Sequence, residues 1–265
     1  MKKFAIFGNP VEHSKSPLMH NSAFRALGFD GEYSKILLED GKRLKEEFFT
    51  NNLTGANITV PHKEAAFKAA DKLDEFAKKA GVVNTLVVKD NTLYGYNTDA
   101  PGFLNSIKDF GELDSIVLLG AGGTAKSTSI FLKDAGYDVT ILNRSPKRLE
   151  EFQKSGFKVA TYESFDSSNH YDLVVNMTSA GLEEDILPAP KELLERLFSL
   201  AKGAVDIIYG KETPFLKMAK EYNLKTKDGL DMLIEQGVLA FDYFTNHQYD
   251  LKRVKAIMEE ALKGV

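Results

Sequence analysis

The stretch SIVLLGAGGTAKSTSIFLKDAGYDVTILNRSPKR, residues 115–148, decides the fold. It begins with an apolar run, Ser115–Leu119, which is long enough for a strand buried on both faces and too short for a buried helix. A glycine turn, a helical segment at 124–134 and a second apolar run at 139–142 follow in immediate succession. This order predicts a βαβ unit with two parallel strands.

The glycine turn has the pattern G-x-G-x-x-A, formed by Gly120, Ala121, Gly122, Gly123, Thr124 and Ala125. Glycines at these places permit a tight turn and let the backbone approach a pyrophosphate, whose charge then lies at the positive end of the helix dipole. A glycine pattern alone could be an ordinary strand-to-helix turn. Because both strands and the helix flank it in register, we predict that these six residues bind a dinucleotide.

The end of the second strand indicates which dinucleotide is bound. NAD-binding proteins usually have an acidic residue about 20 positions after the glycines, and Asn143 occupies that place here. Arg144, Lys147 and Arg148 follow it. Guanidinium groups pair with phosphate through charge-assisted hydrogen bonds, so this basic cluster predicts NADP(H), with its 2′-phosphate bound by the cluster.

The composition argues against several functional classes. The chain has 265 residues and a net charge of −4 without a basic face, so we expect no nucleic-acid partner. Cysteine is absent, which excludes disulfides and thiol chemistry, and the five histidines lack metal-ligand spacing, so we expect no metal. No apolar segment is long enough for a signal peptide or a membrane span, so we expect a cytoplasmic protein with no membrane partner.

Strand and helix patterns alternate on both sides of the glycine turn, which predicts parallel sheets. Strands are predicted at 4–7, 32–38, 56–60, 83–88, 93–96, 158–161, 172–176, 204–208 and 224–226, and helices at 17–27, 42–49, 62–70, 73–79 and 100–110. From Gly229 onward the pattern is purely helical, and these helices are expected to pack on the first domain. We therefore predict an α/β protein of two domains.

The first predicted domain, residues 1–100 plus 232–265, is an open, mostly parallel α/β domain, and the second, residues 101–231, is a doubly wound Rossmann domain. Polar side chains of the first domain occur at strand ends and turns, where an open parallel sheet presents its ligand site. Ser16 is expected to cap the helix that Pro17 opens. Asp99 is either a helix N-cap or a functional carboxylate.

Ten segments together resemble the shikimate dehydrogenases and cover almost the whole chain. They are GNPVEHSKSPLMHN from Gly8, GANITVPHK from Gly55, AGVVNTLV from Ala80, GYNTD from Gly95, GAGGTAKS from Gly120, NRS with Arg148, DLVVNMTSAG from Asp172, DIIY from Asp206, TPFL from Thr213 and GLDMLIEQ from Gly229. Two positions, Tyr96 and Asp231, depart from the pattern of that family. Both could alter the edge of a substrate site.

The resemblance implies a set of site residues. The substrate would be bound by Ser14, Ser16, Asn57, Thr59, Lys63, Asn84, Asp99, Tyr209 and Gln236, with Lys63 and Asp99 as the catalytic residues. Asn143, Arg144 and Arg148 would bind the NADP 2′-phosphate, and Asn176, Met177, Thr178, Ile207 and Gly229 would complete the cofactor site.

The resemblance also implies the reaction, the reversible NADPH-dependent reduction of 3-dehydroshikimate to shikimate in aromatic amino acid (chorismate) biosynthesis. A quinate/shikimate dehydrogenase that uses NAD is one alternative, which the missing acid at Asn143 disfavours. A cofactor-sensing regulator without catalysis is another, which the presence of Lys63 and Asp99 disfavours. The expected partner is the small-molecule substrate, and the sequence leaves monomer and homodimer open.

Overall fold

The structure is a computed structural model that describes residues 1–166 and 169–263. The chain divides into two compact units. Unit 1 comprises Met1–Gly102 and Leu233–Val265, and unit 2 comprises Phe103–Met232. Each unit is built around one six-stranded sheet, so the α/β class predicted from the sequence is confirmed.

The sheet of unit 1 has the strand order β2-β1-β3-β5-β6-β4. Its strands are β1 (Lys2–Gly8), β2 (Gly31–Leu37), β3 (Gly55–Ile58), β4 (Lys72–Leu73), β5 (Thr85–Lys89) and β6 (Thr92–Tyr96). β1 pairs in parallel with β2 and β3, and β4 pairs in parallel with β6. β5 is antiparallel to β3 and to β6. Asp90 and Asn91, both with positive φ, form the tight turn that joins β5 to β6.

Helices of unit 1 connect and cover these strands. They are α1 (Ser16–Leu27), α2 (Leu44–Thr50), α3 (Lys63–Ala69), α4 (Glu75–Ala80), the start of α5 (Asp99–Ser106), most of α10 (Leu230–Phe244), and α11 (Leu251–Leu262). α10 contributes Phe241 and Phe244 to an aromatic cluster with Phe4 and Phe24 beside β1. The chain leaves unit 1 within α5 and returns within α10.

The sheet of unit 2 is parallel throughout, with the order β12-β11-β10-β7-β8-β9. Its strands are β7 (Ser115–Leu119), β8 (Asp138–Asn143), β9 (Lys158–Thr161), β10 (Leu173–Asn176), β11 (Gly203–Asp206) and β12 (Lys225–Lys227). α6 (Gly123–Asp134), α7 (Glu150–Lys154), α8 (Lys191–Phe198) and α9 (Pro214–Glu221) lie between them in the chain. The strand order reverses at β7, and such reversals are where doubly wound sheets bind ligands.

Three local predictions were wrong. Ser16 does not cap α1: the helix already includes Ser16, Lys15 is its N-cap, and no side chain caps it. The helix predicted from residue 73 begins at Glu75, since the Asp74 carboxylate accepts from the Ala77 amide and the two residues of β4 pair with β6. The helix predicted to reach residue 110 ends at Ser106, and a 3₁₀ turn follows at Lys108–Phe110.

Within the described residues, no helix combines the length and the apolar character that a membrane crossing requires.

Candidate active site

Lys63 and Asp99 form an ion pair that is largely shielded from water. Lys63 is the first residue of α3, after β3, and Asp99 is the first residue of α5, after β6. The Lys63 Nζ lies 2.6 Å from Asp99 Oδ2, and the two side chains are only 12% and 10% exposed. Charges interact more strongly in such a place than at the surface, because less water screens them. The structure thus brings the two predicted catalytic residues together.

The carboxylate of Asp99 does not cap its helix, so the N-cap role that the sequence allowed for this residue is wrong. The capping oxygen belongs to Asn97, whose Oδ1 accepts from the Ala100 amide at 3.2 Å. Asp99 therefore directs one oxygen at Lys63 and the other at Asn84, whose Nδ2 donates to Asp99 Oδ1 at 2.8 Å. These two contacts fix the orientation of the carboxylate.

Asn84 is held by its neighbours on both sides of the amide. Its Oδ1 accepts from the Thr98 backbone N–H at 2.7 Å, which determines which end of the amide is the oxygen. Its Nδ2 donates to Thr98 Oγ1 at 2.9 Å as well as to Asp99. An amide nitrogen has two hydrogens, so both are used within the protein. The Thr85 and Thr98 hydroxyls also lie 3.2 and 3.3 Å from Asn84 Oδ1, so the hydrogen bonds of Asn84 are made within the protein and serve to orient Asp99.

Asn57 continues the same network toward β2. Its Nδ2 donates to Thr85 Oγ1 at 3.1 Å and to the Asn84 carbonyl at 3.4 Å, and its Oδ1 accepts from the Tyr33 hydroxyl at 2.7 Å. The sequence did not single out Thr85 or Tyr33. A polar Thr85 inside the apolar segment AGVVNTLV was a usable signal for the first, whereas Tyr33 lies in a strand pattern with no such mark.

The other predicted substrate residues of unit 1 follow β1 and β3 or lie on α10. Ser14 Oγ accepts from the Ser16 amide at 3.3 Å in the loop after β1. Thr59 packs against Gly8 so closely that a Cβ on Gly8 would lie 2.4 Å from Thr59 Cγ2. The backbone of Gln236 on α10 lies against Gly102 of α5, one turn after Asp99. Tyr209, also predicted, belongs to unit 2 and follows β11.

The glycine turn of unit 2 has the geometry that a dinucleotide requires. Gly120 has φ +109°, and a Cβ there would lie 2.7 Å from Thr178 Cγ2. A Cβ on Gly122, in contrast, would meet no atom within 4 Å. Gly122 is the N-cap of α6, and no side chain caps that helix. An uncapped helix start behind an open glycine can accept a pyrophosphate, so the residues present fit the cofactor.

The basic cluster follows β8 and is exposed. Asn143 is the last residue of β8, and its Nδ2 donates to the Ser145 carbonyl at 3.0 Å, which shapes the turn. Arg144 and Arg148 follow it in the chain, and Arg148 is exposed. Arg144 directly follows β8, and Arg148 lies in the 3₁₀ turn Pro146–Leu149 after it. In doubly wound folds the ribose of a dinucleotide lies near the end of this strand.

The predicted nicotinamide side is organised by Asp206, which the sequence did not mark as a site residue. Both of its carboxylate oxygens accept from Asn176 Nδ2, each at 3.1 Å, and Oδ2 also accepts from Thr213 Oγ1 at 2.7 Å. Asn176 Oδ1 in turn accepts from the Thr178 hydroxyl at 2.7 Å. Burial raises the pKa of Asp206 above its usual value. Asn176 and Thr178 thus act as structural links in the loop after β10.

Ile207 and Gly229 also lie together in unit 2. A Cβ on Gly229 would lie 2.0 Å from the Ile207 carbonyl oxygen, and the Gly229 amide donates to the Ile208 carbonyl at 2.9 Å. Only glycine fits this approach. Met177 is buried beside the loop after β10. In the described part of the chain, no group of three or more His, Cys, Asp or Glu side chains is arranged to hold a metal ion.

Comparisons with known proteins identify the family of this chain. Residues 6–86 match a family described as the shikimate dehydrogenase substrate binding domain, and residues 229–263 match the shikimate 5′-dehydrogenase C-terminal domain. Residues 116–192 match a family described as ketopantoate reductase.

Individual relatives cover nearly the whole chain. The shikimate dehydrogenase (NADP(+)) of Helicobacter hepaticus is 42% identical over 98% of this chain and 98% of its own. Shikimate 5-dehydrogenase from Thermus thermophilus, solved in complex with NADP(H) and shikimate, is 36% identical, covers 99% of this chain and 100% of its own, and has a TM-score of 0.85. Shikimate dehydrogenase from Aquifex aeolicus is 30% identical over 99% and 98%, with a TM-score of 0.87. The chain belongs to the shikimate dehydrogenase family.

Proposed function

We propose that this chain catalyses the reversible, NADP(H)-dependent interconversion of shikimate and 3-dehydroshikimate, as part of aromatic amino acid biosynthesis. The observation that carries the proposal is the shielded Lys63–Asp99 pair at the end of the polar network in unit 1. Unit 1 would bind the substrate, and unit 2 would bind the cofactor. A cytoplasmic location and a monomeric or dimeric state remain predictions.

The reaction requires one hydride transfer and one proton transfer. NADP(H), when bound, supplies or accepts the hydride. The proton transfer is assigned to Lys63. Its ammonium would donate a hydrogen bond to the oxygen on the reacting carbon and would stabilise the negative charge that develops there during reduction. Asp99 holds the ammonium in place, and Asn84 holds Asp99. In the oxidation direction the same pair takes up the hydroxyl proton.

The substrate would be recognised by hydroxyl and amide side chains of the protein. Ser14, Ser16, Thr59 and Gln236 would bind the carboxylate and hydroxyl groups of the ring with Asn57, and the family resemblance adds Tyr209. The start of α6 would bind the pyrophosphate of the cofactor, and Arg144 and Arg148 would bind its 2′-phosphate. Two charge-assisted contacts of about 1.5–3 kcal/mol each would favour NADP over NAD by about 10² to 10⁴-fold.

A spectrophotometric assay tests the proposal and separates it from both alternatives. Formation of NADPH from NADP⁺, or of NADH from NAD⁺, is measured with shikimate and with quinate. We expect turnover with shikimate and NADP⁺ and a kcat/KM at least about 10²-fold lower with NAD⁺. Equal efficiency with both cofactors would contradict the NADP preference, turnover of quinate with NAD⁺ would support the quinate/shikimate alternative, and tight NADP⁺ binding without turnover would support the regulator.

A double replacement of Arg144 and Arg148 by Ala identifies the source of cofactor preference. It should weaken the binding of NADP⁺ more than the binding of NAD⁺, and so reduce the ratio of the kcat/KM values for NADP⁺ and NAD⁺ toward 1. Arg253, an exposed arginine on α11 in unit 1, provides the control, since its replacement by Ala should leave the ratio unchanged. An unchanged ratio in the double variant would remove the basic cluster from cofactor recognition.

A further inference from the structure

Tyr33 of β2 is a buried residue that no part of the proposed mechanism uses, yet its hydroxyl contacts a predicted substrate residue. The hydroxyl donates to Asn57 Oδ1 at 2.7 Å. Tyr33 therefore connects β2 to β3 at the site.

Two neighbouring residues of α1 hold Tyr33 in place. The Asn21 side chain accepts from the Tyr33 backbone N–H and donates to the Tyr33 carbonyl, both at 2.8 Å. The His20 ring stacks on the phenol ring, with centroids 4.5 Å apart and planes 3° from parallel. Because the hydroxyl is bonded to Asn57, the backbone, the ring and the hydroxyl of Tyr33 are each restrained, which is more than a packing residue requires.

The phenol remains a hydrogen-bond donor under working conditions. Tyr33 is 2% exposed, and its burial raises its pKa well above the usual value. The hydroxyl consequently stays protonated and keeps donating to Asn57 across the neutral range.

The orientation of the Asn57 amide follows from this contact and one other. The Asn84 carbonyl can only accept, so the NH₂ end of Asn57 must face it and the oxygen must face Tyr33. Both amide hydrogens are donated within the protein, to Thr85 and Asn84. One lone pair of Oδ1 remains. Asn57 can therefore accept from a substrate hydroxyl and has no hydrogen to offer a carboxylate.

We propose that Tyr33 is a positioning residue of the substrate site, which holds the Asn57 amide so that its oxygen recognises a hydroxyl group of the substrate. This inference rests on the proposed function. Removing the hydroxyl would free the amide to rotate and would leave its oxygen without its donor inside the protein. The loss should fall on substrate binding rather than on the proton transfer that Lys63 and Asp99 perform.

Tyr33→Phe tests the proposal, because phenylalanine keeps the ring that stacks on His20. We expect KM for shikimate to rise about tenfold, kcat to stay within about threefold, and KM for NADP⁺ to remain unchanged. Tyr171→Phe is the matched control: Tyr171 is also buried and donates to a single side chain, Thr140 Oγ1 at 3.0 Å, but it lies in unit 2. Its KM for shikimate should stay at the wild-type value.

A double-mutant cycle with Asn57→Ala asks whether Tyr33 acts through Asn57. If it does, adding Tyr33→Phe to Asn57→Ala should raise KM no further. Additive effects, or a normal KM in the single Tyr33→Phe variant, would overturn the proposal. Inactive wild-type enzyme would instead refute the proposed function, which keeps the two failures distinct.

Thr85→Val provides a second test if Tyr33→Phe does not fold, as judged by its thermal midpoint and NADP⁺ affinity. This change removes the acceptor of an Asn57 amide hydrogen, together with the hydroxyl that contacts Asn84 and Thr98, and leaves the shape of the side chain similar. It should also raise KM for shikimate about tenfold. A normal KM in a folded Thr85→Val variant would contradict the claim that a fixed amide matters.

Discussion

The ammonium of Lys63 contacts the Asp99 carboxylate, and only 12% of the Lys63 side chain is exposed. We therefore expect a large effect when this ammonium is removed. If the ammonium mainly stabilises charge that appears in the transition state, Lys63→Ala should lower kcat by about 10² to 10⁴-fold and change KM by only about a few-fold. Steady-state kinetics with shikimate and NADP⁺ measure both. Lys68→Ala, at another lysine of the same helix, is the control. Near-normal kcat in folded Lys63→Ala would assign the proton transfer to Asp99 or to water.

Asp99→Asn should reduce kcat by a similar factor, because the neutral amide no longer holds the ammonium. The two residues contact each other directly, so their effects should not add. We expect the double variant to be no slower than the slower single variant. A double variant slower by the product of both factors would mean that the two groups act independently.

At the level of single residues, the sequence predicted which side chains collect at the site better than it predicted what each one does. It placed Lys63, Asn84 and Asp99 together, but it could not decide between capping and catalysis for Asp99. That choice depends on Asn97, which caps α5 and so leaves the Asp99 carboxylate to Lys63 and Asn84. Hydrogen-bond competition of this kind is settled by three-dimensional placement, which no local pattern specifies.

The start of α6 allows a test of cofactor binding that does not involve folding. Gly122 has open space where a Cβ would be added, and its φ of −93° suits any residue. Gly122→Ala should therefore leave the thermal midpoint nearly unchanged. Its methyl group would occupy the space into which a pyrophosphate approaches, so the Kd for NADP⁺ should rise at least about tenfold. Calorimetric titration measures this Kd, and an unchanged value would place the pyrophosphate elsewhere.

The close contact between α5 and α10 within unit 1 should make the protein sensitive to a larger residue at Gly102. A Cβ on Gly102 would lie 2.7 Å from the Gln236 backbone nitrogen, so the two helices could not keep their distance. Although alanine favours helix, Gly102→Ala should lower the free energy of unfolding by about 1–3 kcal/mol. It should also raise KM for shikimate, because Gln236 would move. Denaturant unfolding and steady-state kinetics measure the two effects.

Gly237→Ala, on α10, is the matched control for that variant. The nearest atom to a Cβ there would be the flexible end of Met19, at 3.1 Å, so a small shift accommodates it. Its free energy of unfolding should stay within about 1 kcal/mol of the wild-type value. Equal stability of the Gly102 and Gly237 variants would show that the helices adjust freely and would contradict the predicted role of the close contact.

Elements with strong local signals were predicted well, and elements that depend on tertiary partners were not. The apolar runs around the glycine turn became β7 and β8, and the helical segment predicted at 124–134 became α6. β4 was missed because its two residues form a strand only by pairing with β6. The start of α4 lies two residues after the predicted start for the same reason, since Asp74 caps the helix just after that pairing.

For the molecule as a whole, the sequence predicted two α/β domains because site patterns occur before residue 100 and after residue 229, with the glycine turn between them. It could not predict how distant residues share an interior. His20, Tyr33 and Phe241 come from three separate elements, and the His20 ring stacks on the other two within unit 1. Such contacts join segments far apart in the chain, so they follow from the completed fold rather than from a local pattern.

The buried imidazole of His20 makes the stability of the whole fold depend on pH. Neither ring nitrogen has a hydrogen-bond partner among the described residues, and burial lowers the pKa of His20 to about 3. In the unfolded chain the pKa is about 6.5, so below that pH the unfolded state binds a proton that the folded state does not. The free energy of unfolding should therefore fall with decreasing pH, at up to about 1.4 kcal/mol per pH unit.

Replacing His20 with Phe removes the group that binds a proton in the unfolded chain, and it keeps a ring against Tyr33. Between pH 6 and 5, where few carboxylates titrate, the wild-type protein should lose about 1 kcal/mol more stability than His20→Phe. Denaturant unfolding at the two pH values measures the difference, and His13→Asn, at an exposed histidine, should behave like the wild-type protein. Parallel losses in wild type and His20→Phe would mean that the imidazole gains a proton, or a water partner, inside the folded protein.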